Sequence, residues 1–201
     1  MNLFILCALI AFGAYLIKAG YQRKRIVLLG RQLHPFQIDK LMEDITHGYM
    51  RALGEADVAR QEQILGLLNG NETKLCDQFK RFVAEFARLD AAQTRISRIP
   101  LGLPYADQLL PQATFDFRKV LQVHAQGLDN AALNTAQRSP KNRAFVLMAE
   151  LLLMQHSCHW FCRSQSVASA RMVLRHQTTY AQALDGVAPE TRRAYLAVVQ
   201  G

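Results

Sequence analysis

The sequence predicts an all-α protein: a single N-terminal transmembrane helix followed by a soluble helical bundle of about seven helices. Three observations carry this reading. No charged residue precedes Lys18. From His34 onward, apolar residues recur at three- and four-residue steps, the period of one helix face. No segment alternates convincingly as a strand. The chain has 201 residues, 50% of them hydrophobic and 20% charged. That suffices for one domain plus an anchor and is too apolar for a disordered chain. Four Cys make no disulfide scaffold.

Residues 1–21 are the expected anchor. A helix from Asn2 to Tyr21 rises about 30 Å, the thickness of a hydrocarbon core. Lys18 can snorkel to the headgroups, and Tyr15 and Tyr21 suit the interface. A cleaved signal peptide would want basic residues before the apolar run and small residues at its cleavage site. Here nothing basic comes first, and Lys18-Ala19-Gly20 carries a charge where a small residue belongs. A lipoprotein signal ending at Cys7 has too short an apolar run and a bulky Leu6. A retained span is favoured over these and over a buried core helix. If the segment were cleaved or inserted the other way, the body would be periplasmic or secreted.

Residues 22–34 form a basic juxtamembrane segment. Lys18, Arg23, Lys24, Arg25 and Arg31 follow the apolar run, with no acid among residues 1–34. The positive-inside rule then places a short N-terminus outside and residues 35–201 in the cytoplasm. The same five charges suit anionic headgroups. Of the net charge of +8, residues 1–34 contribute +5; 35–137 hold 11 basic and 13 acidic side chains, and 138–201 hold 8 and 3. The C-terminal surplus is scattered, with one small basic face at Arg171 and Arg175. No basic stripe interleaved with aromatics argues for nucleic acid.

The helices follow in order. Pro35 suits a first turn, and Ile38, Leu41, Met42, Ile45, Tyr49 and Leu53 share a face that Gly54 ends. A short helix with Val58, Ile64, Leu65 and Leu68 runs to a turn at Asn69-Gly70-Asn71. Asn71 then caps a helix striped by Leu75, Phe79, Phe82, Val83, Phe86 and Leu89. Residues 97–113 break the pattern with Pro100, Pro104 and Pro111. Ile99, Leu101, Leu103, Tyr105, Leu109 and Leu110 make this connection too apolar for a floppy linker, so it is expected to lie against the bundle and is a candidate docking segment. A helix resumes near Thr114 and runs to Leu128, with Gly127 weakening its middle. Ser139-Pro140 starts another, whose residues 145–154 are apolar all round and so central. Ser164 or Ser166 starts the next, ending near Asp185-Gly186, and Pro189 opens the last. One compact unit is favoured over two lobes (35–97 and 114–201, joined by 98–113), because each lobe alone would have little core.

Chemistry-bearing clusters are few. Cys158, His159 and Cys162 lie within one turn or so of a helix and are the residue types that bind zinc or iron. A full site needs further ligands from elsewhere, with His47, Cys76 and His124 available. Small core residues are the plainer reading for the cysteines, and a cytosolic setting argues against a disulfide. Glu43, Asp44 and His47 suit an intrahelical ion pair better than a di-iron site, which needs paired Glu-x-x-His motifs. Glu150 is the one acid between residues 130 and 184 and needs a partner if buried. Phosphate-loop, dinucleotide, nucleophile-elbow and zincin motifs are all missing. The expectation is therefore a non-enzymatic, membrane-anchored adaptor, assembly factor or accessory subunit without a cofactor. Its partners would be the bilayer and other subunits of a membrane complex, with self-association also open. The alternative is a metal- or haem-binding redox protein built on Cys158 and Cys162.

Overall fold

The computed structural model describes residues 2–201; Met1, the first residue of the expected anchor, lies outside them. Helix α1 runs unbroken from Asn2 to Leu33. Residues Leu3 to Ile17 stand clear of the protein, and this is one helix long and apolar enough to cross a membrane. The helix expected over Asn2–Tyr21 thus continues through the juxtamembrane segment to Leu33. Nothing between Tyr21 and Leu33 stops a helix, and the segment gains a buried face: Leu29 is in the core and Leu28 and Leu33 pack against it.

The bundle follows as α2 (Ile38–Leu53), α3 (Val58–Phe86), α4 (Ala91–Thr94), α5 (Ala106–Leu109), α6 (Phe117–Ala132), α7 (Pro140–Cys162), α8 (Gln165–His176), α9 (Tyr180–Gly186) and α10 (Pro189–Gln200). Seven of these have seven residues or more, as the periodicity predicts, but their division differs at two places. α3 passes straight through Asn69-Gly70-Asn71. A Gly costs a helix about 1 kcal/mol, whereas burying a Leu side chain contributes about 1.5–3 kcal/mol. Leu65, Leu68 and Leu75 all bury on one face only if the helix continues. Conversely, the single helix expected from Ser164 to Gly186 is two, because Gln177 takes a left-handed φ of 50° that ends α8. Thr179 then opens α9 with a reciprocal capping box to Gln182.

Short strands also form where none was expected: β1 (Arg95–Ser97) pairs antiparallel with β2 (Thr114–Asp116), Ile96 opposite Phe115. Three residues cannot show a convincing alternation. The pairing arises because the proline-rich connection closes on itself, and Arg98 N–H donating to Ala113 O extends it. The caps agree with the sequence reading at Ser139 and Ser164, whose side chains accept from Asn142 and Val167 N–H.

α7 is the central element, touching α1, α2, α3, α6, α8 and α9. An aromatic cluster fills the middle of the core: Phe86, Phe117 and Phe161 meet with Phe117 and Phe161 stacked at 4.7 Å. The buried core includes residues from both sides of 98–113. Gly127, expected to weaken α6, instead admits α7 and α10: a Cβ there would lie 2.5 Å from Glu150 Oε2 and 2.6 Å from Thr191 Oγ1.

Candidate functional site

A groove of about 1260 Å³ lies between the inner half of α1 and helices α2, α7 and α8. Its floor is apolar and rich in sulfur, from Leu29 and Leu33 of α1, Met42 of α2, and Met148, Cys158 and Cys162 of α7. The helices lining it contribute unlike charge: α8 and the end of α7 bring Arg163, Arg171 and Arg175 with His159 and His176, while α2 brings Asp39 and Glu43 with His47. Leu174, on α8 with Arg171 and Arg175, is 82% exposed. Methionine and cysteine adapt their shape and polarise readily, a floor suited to varied apolar side chains.

The candidate residues that the sequence singles out partly converge here. Cys158, His159, Cys162, Arg171 and Arg175 all line the groove. Among the described residues, no three His, Cys, Asp or Glu side chains are placed to share one ion. Burial also pushes the Cys158 thiol up and that of Cys162 up to about 11, so both stay protonated. Burial, reinforced by Arg171 and Arg175, holds His159 down at about 4. The surroundings already carry the positive charge and leave the imidazole neutral.

Of the flanking basic residues, Arg23, Lys24 and Arg31 are exposed. Arg25 turns the other way, into the domain. Its guanidinium donates to Phe161 O at 3.0 Å and to Arg95 O, and lies 4.6 Å from the Phe161 ring centre. It fastens α1 to α7 and β1, so it is unavailable to headgroups. Of the docking candidates, Leu101 and Tyr105 are exposed, while Ile99 and Leu103 are half-buried. These four lie apart from the groove's lining.

A second polar cluster lies buried between α6, α7 and α10, and no motif marked it. His124 Nε2 and Ser157 Oγ are 2.9 Å apart, and Ser157 also lies 3.4 Å from the Tyr195 hydroxyl. The pair has the spacing of a nucleophile and its base, but it is buried in the core. Ser157 Oγ also lies 2.9 Å from Leu153 O; when the hydroxyl donates there, His124 Nε2 is the nitrogen that donates to Ser157. The remaining nitrogen, Nδ1, is buried without a partner. Both side chains are shut from solvent. Nearby Glu150 accepts from Ala188 N–H at 3.2 Å, and burial pushes its carboxyl up to about 7.

These groups make stability depend on pH with opposing signs. Burial holds His124 at about 3 and His156 at about 4, below the ordinary 6.5. The unfolded chain therefore takes up those protons first, and stability falls as pH drops below about 6.5. Glu150 is raised above its ordinary 4.5, so its contribution is complete at low pH and is lost as pH rises through about 7. Histidine outnumbers it, so net stability rises between about pH 4.5 and 6.5. Glu150→Gln is expected to steepen that rise, read by urea denaturation across the range. An unchanged slope would show that Glu150 titrates like a solvated carboxylate.

Sequence reasoning assigned Arg25 to the membrane flank and missed its inward role, the joining of His124 with Ser157 and Tyr195, and a buried Glu72 that pairs with Arg143. Glu72 alone left a trace: it falls at helical spacing within the stripe of Leu65, Leu68, Leu75 and Phe79. No family model matches the chain, and no curated protein or solved structure is similar to it.

Proposed function

We propose that the chain is a membrane-anchored, non-enzymatic adaptor or accessory subunit that holds an amphipathic helix of another membrane-complex subunit in the groove between α1, α2, α7 and α8. The observation that carries this reading is the groove itself: an apolar, sulfur-rich floor lined by arginines from α7 and α8 and acids from α2. A helix laid there buries one apolar face and meets charge of both signs, which fixes its direction as well as its position. In this reading the anchor, residues 1–21, crosses the bilayer, and the basic flank after it favours a cytoplasmic bundle. Anchoring raises the effective concentration of the groove toward other membrane-bound subunits, so a modest contact suffices.

The test is site-specific photo-crosslinking in membranes, with a photoreactive residue at Leu174 and a control at exposed Leu133, the residue after α6. A discrete adduct at 174, absent at 133 and lost in the double variant Arg171→Glu/Arg175→Glu at unchanged melting temperature, is expected. An adduct that survives charge reversal, or none, overturns the groove as the docking site. A reporter fused at Gly201 reads the side of the membrane: a cytoplasmic signal is expected, and a periplasmic one overturns the orientation. A metal or redox reading gains nothing from the protonated thiols of Cys158 and Cys162.

A further inference from the structure

The connection between β1 and β2 holds large exposed apolar side chains: Leu101 is 69% exposed, Leu109 65% and Leu110 45%. It is nonetheless firmly seated. Pro100 O accepts from both the backbone N–H and the hydroxyl of Ser166, each at 3.0 Å. Gly102 has a φ of +72° and approaches the α7–α8 corner so closely that a Cβ would lie 2.9 Å from Arg163 O. The backbone is thus fixed in a form that glycine alone accepts cheaply, with Leu101 held at its tip and turned outward.

Its position relative to α1 gives those exposed side chains a place. Lys18 is the first charge after the apolar run, and its Nζ donates to Leu101 O at 2.9 Å. One turn further along, the rings of Tyr21 and Tyr105 lie 5.1 Å apart. The segment 101–105 therefore runs alongside the stretch of α1 where lysine and tyrosine mark a membrane–water boundary. Beyond that boundary Arg25 locks the same helix into the bundle, so α1 is no swinging tether.

We propose that the loop tip at Leu101 is a second membrane contact, seated among the lipid headgroups and upper acyl chains beside the span. The inference rests on the reading that the anchor, residues 1–21, spans the bilayer. The anchor and the loop then meet the lipid as one rigid unit. The bundle is held at a fixed height and tilt, with the groove presented at a constant distance from the membrane surface.

The test uses the full chain in phosphatidylcholine–phosphatidylglycerol nanodiscs, reading quenching of tryptophan fluorescence by brominated acyl chains. The one native tryptophan, Trp160, is buried and gives a constant background. Three single variants are compared: Leu101→Trp at the loop, Phe12→Trp in the span, and Phe145→Trp at an exposed site on α7, about 24 Å along that helix from Phe161. Leu101→Trp is expected to be quenched at shallow bromine positions by at least half as much as Phe12→Trp, with Phe145→Trp unquenched. Quenching at 12 without quenching at 101 overturns the loop contact and leaves the span standing. Absence of quenching at 12 overturns the span, and the loop contact with it. Equal quenching at 101 and 145 also overturns the proposal, because it would mean the whole bundle lies on the bilayer without a specific seat.

Discussion

Replacing Arg143 with methionine lowers the free energy of unfolding by about 3–5 kcal/mol, because it leaves a buried carboxylate without its cation. Glu72 is 2% exposed, on the face of α3 turned toward α2 and α7. Its Oε1 accepts from the Tyr49 hydroxyl at 2.5 Å, and its Oε2 accepts from the Arg143 guanidinium. Arg143 also donates to Asn69 Oδ1 at 2.9 Å and to Ala131 O at 3.3 Å. One side chain from the first turn of α7 thus joins α3 and α6, and Glu72 carries the link on to Tyr49 of α2. Methionine preserves much of its length and apolar stem but none of these bonds. Equilibrium denaturation at pH 7 checks the value. Adding Glu72→Gln to the variant is expected to restore part of the loss, since no bare charge then remains buried. A loss below about 1 kcal/mol would mean that the pair is screened by water as a surface bridge is.

Phe161→Ala is expected to cost a similar amount, about 3–5 kcal/mol, from lost burial and the cavity left behind. Phe161 is fully buried, stacks on Phe117 at 4.7 Å and meets Phe86 edge-on at 5.8 Å. Its ring also supports the Arg25 guanidinium. The loss should therefore be felt at a distance, with hydrogen exchange of the amides of residues 22–33 quickening as α1 loosens from the bundle. Phe161→Leu, which fills most of the space, is expected to lose less than half as much. Unchanged protection of residues 22–33 in Phe161→Ala would show that Leu29 and its neighbours hold α1 without Arg25.

Local signals in the sequence mark most helix ends, since they depend on residues close in the chain. Ser139-Pro140, Ser164, Gly54 and Pro189 all mark boundaries the structure keeps. The stripe from Leu75 to Phe86 is buried as its spacing implies. The errors occur where a weak local preference meets a strong tertiary one. Asn69-Gly70-Asn71 favours a turn, yet burying Leu65 and Leu68 and pairing Glu72 hold α3 straight. The strands at 95–97 and 114–116 are each stabilised by the other, sixteen or more residues away, and neither carries a signal alone.

The candidate site was legible only in pieces. Arg171 and Arg175 read as a basic face, and Cys158, His159 and Cys162 as a cluster, but nothing in the linear order says that both line one groove with α1 and α2. Arg25 looked like its basic neighbours and differs only because Phe161 O and Arg95 O meet it inside the bundle.

The sequence by itself determined an all-α chain, an N-terminal helix apolar enough to cross a membrane, and the faces that each helix must bury. Those properties follow from periodicity and composition, which act over a few residues at a time. Tertiary structure alone decided which charged groups turn inward, which helices join, and where the groove and the loop tip at Leu101 stand relative to α1. These depend on contacts between residues far apart in the chain, whose free energy has no local trace.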